Sequence, residues 1–189
     1  MWGRCLLLSY LAALLLGQSC AQKPFALAGF DEIITQPLVE TGFDRRPDAL
    51  RFGQEAGQES RLYWLRIPAQ GDEGSFHFEL AVAVAEAGTM LTPEEWERKR
   101  NELAALYPDR DKEFFDYEFP AVGARARRMV GPAGPGGASY GLVFTTHDDR
   151  FDVRLTILNQ APADVDLPDY DLLRVAKRIA EAYEDKRRN

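Results

Sequence analysis

Alternation of apolar and polar positions is clearest in SFHFELAVAVA, residues 75–85. Phe76, Phe78, Leu80, Val82 and Val84 fall on one side of an extended chain, and His77, Glu79, Ala81, Ala83 and Ala85 on the other. The first side is directed to a core; the second, part polar and part small, is solvated or thinly covered. A second alternating pair follows later. Tyr140, Leu142 and Phe144 precede the polar stretch 147–150, and Phe151, Val153, Leu155 and Ile157 follow it, which predicts a hairpin. Phe115, Tyr117 and Phe119 share one side of a further strand, and Val122, Ala124 and Ala126 share one side of another. Upstream, ALRFGQEAGQESRLYWLRIP (49–68) predicts a hairpin around a Gly-containing polar turn.

The period changes to helical in two places. In 92–108, Thr92 is an N-cap, Pro93 occupies the first helical position and Glu95 completes a capping box. Trp96, Leu103, Leu106 and Tyr107 recur at helical spacing, and Pro108 ends the run. Near the C-terminus, Leu172, Val175, Ala176, Ile179, Ala182 and Tyr183 form one apolar stripe. Asp169 or Asp171 suits the positive end of that helix, and Lys186, Arg187 and Arg188 suit its negative end.

Strands, a helix, four strands and a helix, joined mostly by short connections, predict an α+β fold. It is a two-layer sandwich: a mainly antiparallel sheet with a central helix and a C-terminal helix packed on one face. Residues 49–189 form its single α/β domain. Residues 22–48, which mix apolar and turn-forming residues, are expected to be a tether and an extended N-terminal arm. This order of elements resembles the α/β sandwich of the PsbP-like superfamily, which includes exported bacterial lipoproteins. The resemblance covers most of residues 22–189 and carries over no functional residue.

The first 21 residues change the picture. Arg4 precedes an apolar run from Cys5 to Gly17, whose 13 residues suit a signal peptide. A membrane-spanning helix needs about 20. Ser19 and Ala21 make a small-x-small site, so cleavage after Ala21 would leave a chain starting at Gln22. The competing reading is a lipoprotein signal that acylates Cys20; Ser19 suits it, whereas Gly17 stands where such signals carry Leu. With Cys5 in the leader, Cys20 has no cysteine to pair with, which argues against an intramolecular disulfide or a Cys-based zinc site.

Charge narrows the partners. The leader holds Arg4 and no acid, so its removal leaves 168 residues and moves the net charge from −7 to −8. An acidic chain without a basic tail argues against general nucleic-acid binding, and any membrane attachment would need a lipid on Cys20.

Several stretches look chemical. GASYG (137–141) matches the G-x-S-x-G nucleophile elbow. A Gly/Pro loop precedes Ser139 and a strand follows it, whereas the elbow needs a strand-to-helix turn. GPAGPGG (131–137) lacks the Gly-Lys-Ser/Thr ending of a phosphate cradle and reads as a mobile loop. His77 and His147, with Glu79, Asp148 or Asp149, are candidate metal ligands; the plainer reading is a strand residue and a polar turn. No catalytic residue, metal site or cofactor is expected. The remaining candidate is ARARRMV (124–130): Arg125 and Arg127 project from the face opposite Ala124 and Ala126, joined by Arg154 if the strands are neighbours. Such a patch holds an anionic ligand or an acidic partner. The plainer alternative has these arginines paired with Glu79 or Glu118 across strands.

The expected function is that of an exported, non-catalytic envelope protein that binds a protein partner or assists an assembly. The alternative is a small anionic-ligand binder, and an enzyme with an unfamiliar site ranks below both.

Overall fold

The computed structural model describes residues 25–69, 75–89, 98, 101, 105, 115–118, 122–132, 138–159 and 169–189. Among the described residues, seven strands form one sheet: β1 (Arg51–Ala56), β2 (Ser60–Pro68), β3 (Phe76–Glu86), β4 (Phe115–Glu118), β5 (Arg125–Pro132), β6 (Ala138–Thr145) and β7 (Phe151–Asn159). Their spatial order is β1-β2-β3-β7-β6-β5-β4, and every neighbouring pair is antiparallel. The fold is α+β.

Directly opposed residues share a face of an antiparallel sheet. Tyr63 pairs with Val82, Val82 with Leu155, and Leu155 with Leu142. Leu65, Leu80 and Ile157 line up in the next rung. All but Ile157, at 6 %, are 2 % exposed or less, so the expected core face of β3, β6 and β7 is the core face. The C-terminal helix α2 (Leu172–Arg188) lies on it, burying Val175, Ala176, Ile179 and Tyr183. Asp171 caps it, accepting from the amides of Leu173 (3.0 Å) and Arg174 (3.2 Å). The central helix expected over 92–108 lies outside the described residues apart from three isolated positions.

The main departure is the N-terminal segment, expected as an extended arm. It carries a 3-10 helix (Leu27–Glu32) and the short helix α1 (Gln36–Glu40), with Pro37 in its first turn. Phe30, Ile33, Ile34, Val39 and Phe43 belong to the same core as the sheet and α2. Two aromatic clusters close the two ends of this core. At one end the rings of Phe30 and Tyr183 stack at 5.5 Å, with Phe25 and Phe151 edge-on around them. At the other, Phe43 meets Phe78 at 5.4 Å and Tyr170 at 4.5 Å. The Tyr170 hydroxyl donates to the Val39 carbonyl (2.6 Å), and Asp171 N–H to the Gly42 carbonyl (2.9 Å). Arg174–Asp44 (2.8 Å) and Lys186–Glu32 ion pairs add surface links between the same segments. A segment that buries this much apolar surface is part of the domain, not a leash on it.

A second departure lies before β5. Val122 is buried and Ala126 is buried, but Ala124 is exposed, so the expected alternation is broken. Gly123 breaks it: its φ of +61 turns the backbone, and a Cβ there would sit 2.0 Å from the Thr145 carbonyl oxygen.

Candidate functional site

The sheet face opposite α2 carries the arginines. Its rungs follow from the register. Leu62, Ala83, Arg154, Val143 and Arg127 form one, with Glu118 opposite Arg127 in β4. Ala85, Asp152, Thr145 and Arg125 form the next. Arg125, Arg127 and Arg154 therefore share a face, Arg154 across β6, since β5 and β7 are not neighbours. Arg127 and Arg154 stand on either side of Val143, their backbones two strand spacings, about 9.6 Å, apart.

The plainer expectation fails for Glu79, while pairing with Glu118 falls on a side chain outside those described. Arg125 is ion-paired with Asp149 in the β6–β7 turn (3.0 Å), both side chains about two-thirds exposed. Glu79 instead holds Arg66, its cross-strand neighbour on β2. The Arg66 guanidinium also lies 4.4 Å from the Trp64 ring centre and 5.4 Å from that of Phe76. Trp64 in turn lies across Gly53 of β1, where a Cβ would come within 2.0 Å of the indole. Beyond their backbone pairing, neither the Arg127 nor the Arg154 side chain makes a hydrogen bond or ion pair with a described side chain; that of Glu118, opposite Arg127, lies outside those described. Arg154 is exposed and Arg127 half-buried.

The carboxylates near this face are already engaged. Asp152, 6 % exposed, accepts from the Thr145 hydroxyl (2.8 Å) and from Gly88 N–H (2.7 Å). In the turn, Thr146 is buried and works as a hub. Its hydroxyl donates to Asp148 (2.8 Å) and accepts from the amides of Phe151 (3.1 Å) and Arg150 (3.3 Å). Asp148 takes a second hydrogen bond, on its other oxygen, from the Tyr183 hydroxyl of α2 (2.8 Å). Partial burial pushes the Asp148 carboxyl up, but these hydrogen bonds, the Arg150 amide and the charge of Arg187 outweigh it and leave it below the usual carboxylate range. Burial, and then the bond to Asp148, push the Tyr183 phenol well above the ordinary tyrosine range. Burial and Asp31, which accepts from the Tyr63 hydroxyl at 2.7 Å, do the same for Tyr63. These are load-sharing contacts between a turn, a helix and a sheet, not poised acids and bases.

The other sequence candidates resolve individually. Ser139 lies inside β6, opposite Gly131, rather than in the loop, so GASYG has neither the turn nor the helix of a nucleophile elbow. Residues 133–137 and Cys20 lie outside the described residues. His147 is exposed beside an Asp148 whose two oxygens are taken. Among the described residues, no three His, Cys, Asp or Glu side chains converge to hold a metal ion. Sequence reasoning missed the Trp64–Arg66–Glu79 cluster, although Trp64 and Arg66 two apart on a strand were a readable signal. Family models, curated proteins and solved structures contain no match to this chain.

Proposed function

We propose that the protein is an exported, non-catalytic domain that binds a protein partner in the cell envelope through the outer face of its sheet. One observation carries the reading: Arg154 stands exposed on that face, beside the half-buried Val143 and Arg127, without an ion pair to any described side chain. The acids Glu79 and Asp152 on the same face are meanwhile occupied internally. A small anionic ligand held between the same two guanidinium groups is the alternative. Export rests on the leader, with cleavage after Ala21 or acylation of Cys20. No helix among the described residues is long and apolar enough to cross a membrane.

The test begins with the full chain in a bacterial host and the intact mass of the product. A chain starting at Gln22, or at an acylated Cys20, supports export; an uncleaved chain refutes it. In the same cells a photo-crosslinking amino acid replaces Val143 on the outer face or, separately, Arg178 on the exposed side of α2. Adducts from position 143 alone, lost when Arg127 and Arg154 become Glu, support the binding face. Adducts from both positions, or from neither, count against it.

A further inference from the structure

β1 stands at one end of the sheet, so one of its edges has no neighbouring strand among the described residues. Which of its backbone groups face that edge follows from the hairpin to β2. Gly57 N–H donates to the Ser60 carbonyl (2.9 Å), which makes 57 and 60 a hydrogen-bonded pair. Such pairs alternate along an antiparallel ladder. The register runs unbroken through Glu55↔Leu62, Gly53↔Trp64 and Arg51↔Arg66, so residues 51, 53 and 55 bond to β2. Phe52, Gln54 and Ala56 therefore turn their N–H and C=O groups to the free edge. The strand is open there, with Arg51, Gln54, Glu55 and Ala56 exposed. An edge of this kind is a template for another strand.

We infer that the occupant is a second copy of the same strand, paired antiparallel about a two-fold axis at Gly53. Outward-facing residues pair only with outward-facing ones, so Phe52 of each copy exchanges hydrogen bonds with Gln54 of the other, and Gly53 meets Gly53. Charge selects this register. Arg51 and Glu55 lie on one side of β1, about 13.6 Å apart along the strand, too far to pair with each other. Within its own chain Arg51 stands opposite Arg66, which Glu79 holds, and Glu55 stands opposite Leu62. Neither side chain makes an ion pair with a described residue. Across the axis each Arg51 comes opposite Glu55 of the other copy, and both gain the opposite charge they lack. Moving the axis to residue 52 or 54 sets a charged side chain against glycine, and moving it to residue 55 sets Glu55 against Glu55. Trp64 favours the same centre. Its indole lies across Gly53, where a Cβ would fall 2.0 Å away, and it is only half-buried. In the pair the two indoles lie over neighbouring strands about 4.8 Å apart, and each covers the open edge of the other. The seam is short and the dimer accordingly weak, since it buries well under the roughly 1,600 Å² of a standard interface. This pairing uses neither Arg127 nor Arg154 and does not depend on the binding face proposed above.

The experiment is sedimentation velocity of the full chain, as purified from the host, from micromolar to millimolar concentration. Reductant is present so that a Cys20 disulfide does not join two chains. A reversible shift from monomer to dimer mass is expected as concentration rises. Arg51→Glu alone and Glu55→Arg alone each set like charges opposite one another across the axis, and each should weaken association by about tenfold or more. An equimolar mixture of these two variants should dimerise again, because every opposed pair in the mixed dimer has opposite signs. A misfolded variant would not be rescued in this way. Gln54→Pro removes an outward N–H without touching the ladder to β2, so it should abolish the dimer with little change in the melting temperature. A chain that stays monomeric throughout the range overturns the inference. So does a dimer that survives the single charge changes or Gln54→Pro, since it would use another surface, and so does a mixture that stays monomeric.

Discussion

Replacing Phe30 with alanine measures how far the N-terminal segment belongs to the core. Phe30 is fully buried, stacked on Tyr183 at 5.5 Å and edge-on to Phe25 and Phe151 at 5.4 and 5.3 Å. Truncating a buried Phe to Ala costs about 3–5 kcal/mol, from lost transfer energy and the cavity left behind. A cavity bounded by three aromatic rings and a sheet cannot easily collapse, so the upper half of that range, about 4–5 kcal/mol, applies. For a domain of this size it lowers the melting temperature by roughly 8–20 °C. The assay is urea unfolding followed by far-UV and near-UV circular dichroism, with Glu32→Gln as control. Glu32 lies in the same 3-10 helix but is exposed and ion-paired with Lys186 at the surface, so its change should stay within about 0.5 kcal/mol. A loss below about 1 kcal/mol for Phe30→Ala would refute the packing argument, because a surface arm would give that result.

Thr146→Val should destabilise by about 1–3 kcal/mol in the same assay, since it strips the buried hub from the Arg150 and Phe151 amides and from Asp148. Gly123→Ala should cost about 2–4 kcal/mol, from a positive φ and a Cβ driven against the Thr145 carbonyl. Asp148, held below its ordinary range when folded, contributes stability that is present above the unfolded carboxylate range and lost as pH falls through the folded value. Asp148→Asn should therefore flatten the fall in stability below about pH 4, read from urea midpoints across pH. Tyr63, Tyr170 and Tyr183 are raised when folded, so their contribution is full below about pH 10 and is lost as pH climbs above it. Their share of the phenolate absorbance at 295 nm should appear together with unfolding; smooth titration of every tyrosine near pH 10 in a folded chain would contradict the burial.

Regular periods were legible and irregular packing was not. The alternation of Phe78, Leu80, Val82 and Val84 and the stripe Val175–Ala176–Ile179–Tyr183 identify buried faces because many residues repeat one geometry. Phe30, Ile33, Ile34, Val39 and Phe43 are just as buried, yet Gly29, Pro37 and Gly42 break their segment into pieces too short to show a period. Gly123 hid the break before β5 in the same way: its positive φ throws Ala124 out of the alternation, while Ala126 and Arg127 keep theirs. The arginine face was readable as strand parity. Its ion pairs were not, because they depend on β7 lying between β3 and β6, a long-range pairing that no local pattern announces. Arg125 reaches Asp149 because both lie at the Thr145 end of the sheet, whereas Glu79, opposite Leu158, lies at the other end.

The first and last described elements of the chain pack against each other, Phe25 and Phe30 on Tyr183, and Val39 and Phe43 around Tyr170. The sheet is likewise closed at its centre by β3 and β7, separated by more than sixty residues of chain. Both closures join residues distant in sequence, so they come late and slowly in folding, after the entropy of large loops has been overcome. A chain emerging N-terminus first from a ribosome thus cannot complete its core until helix α2 has been released. Until that moment it remains an open, threadable polymer, and the arrival of its last seventeen-residue helix sets the clock for becoming a rigid domain.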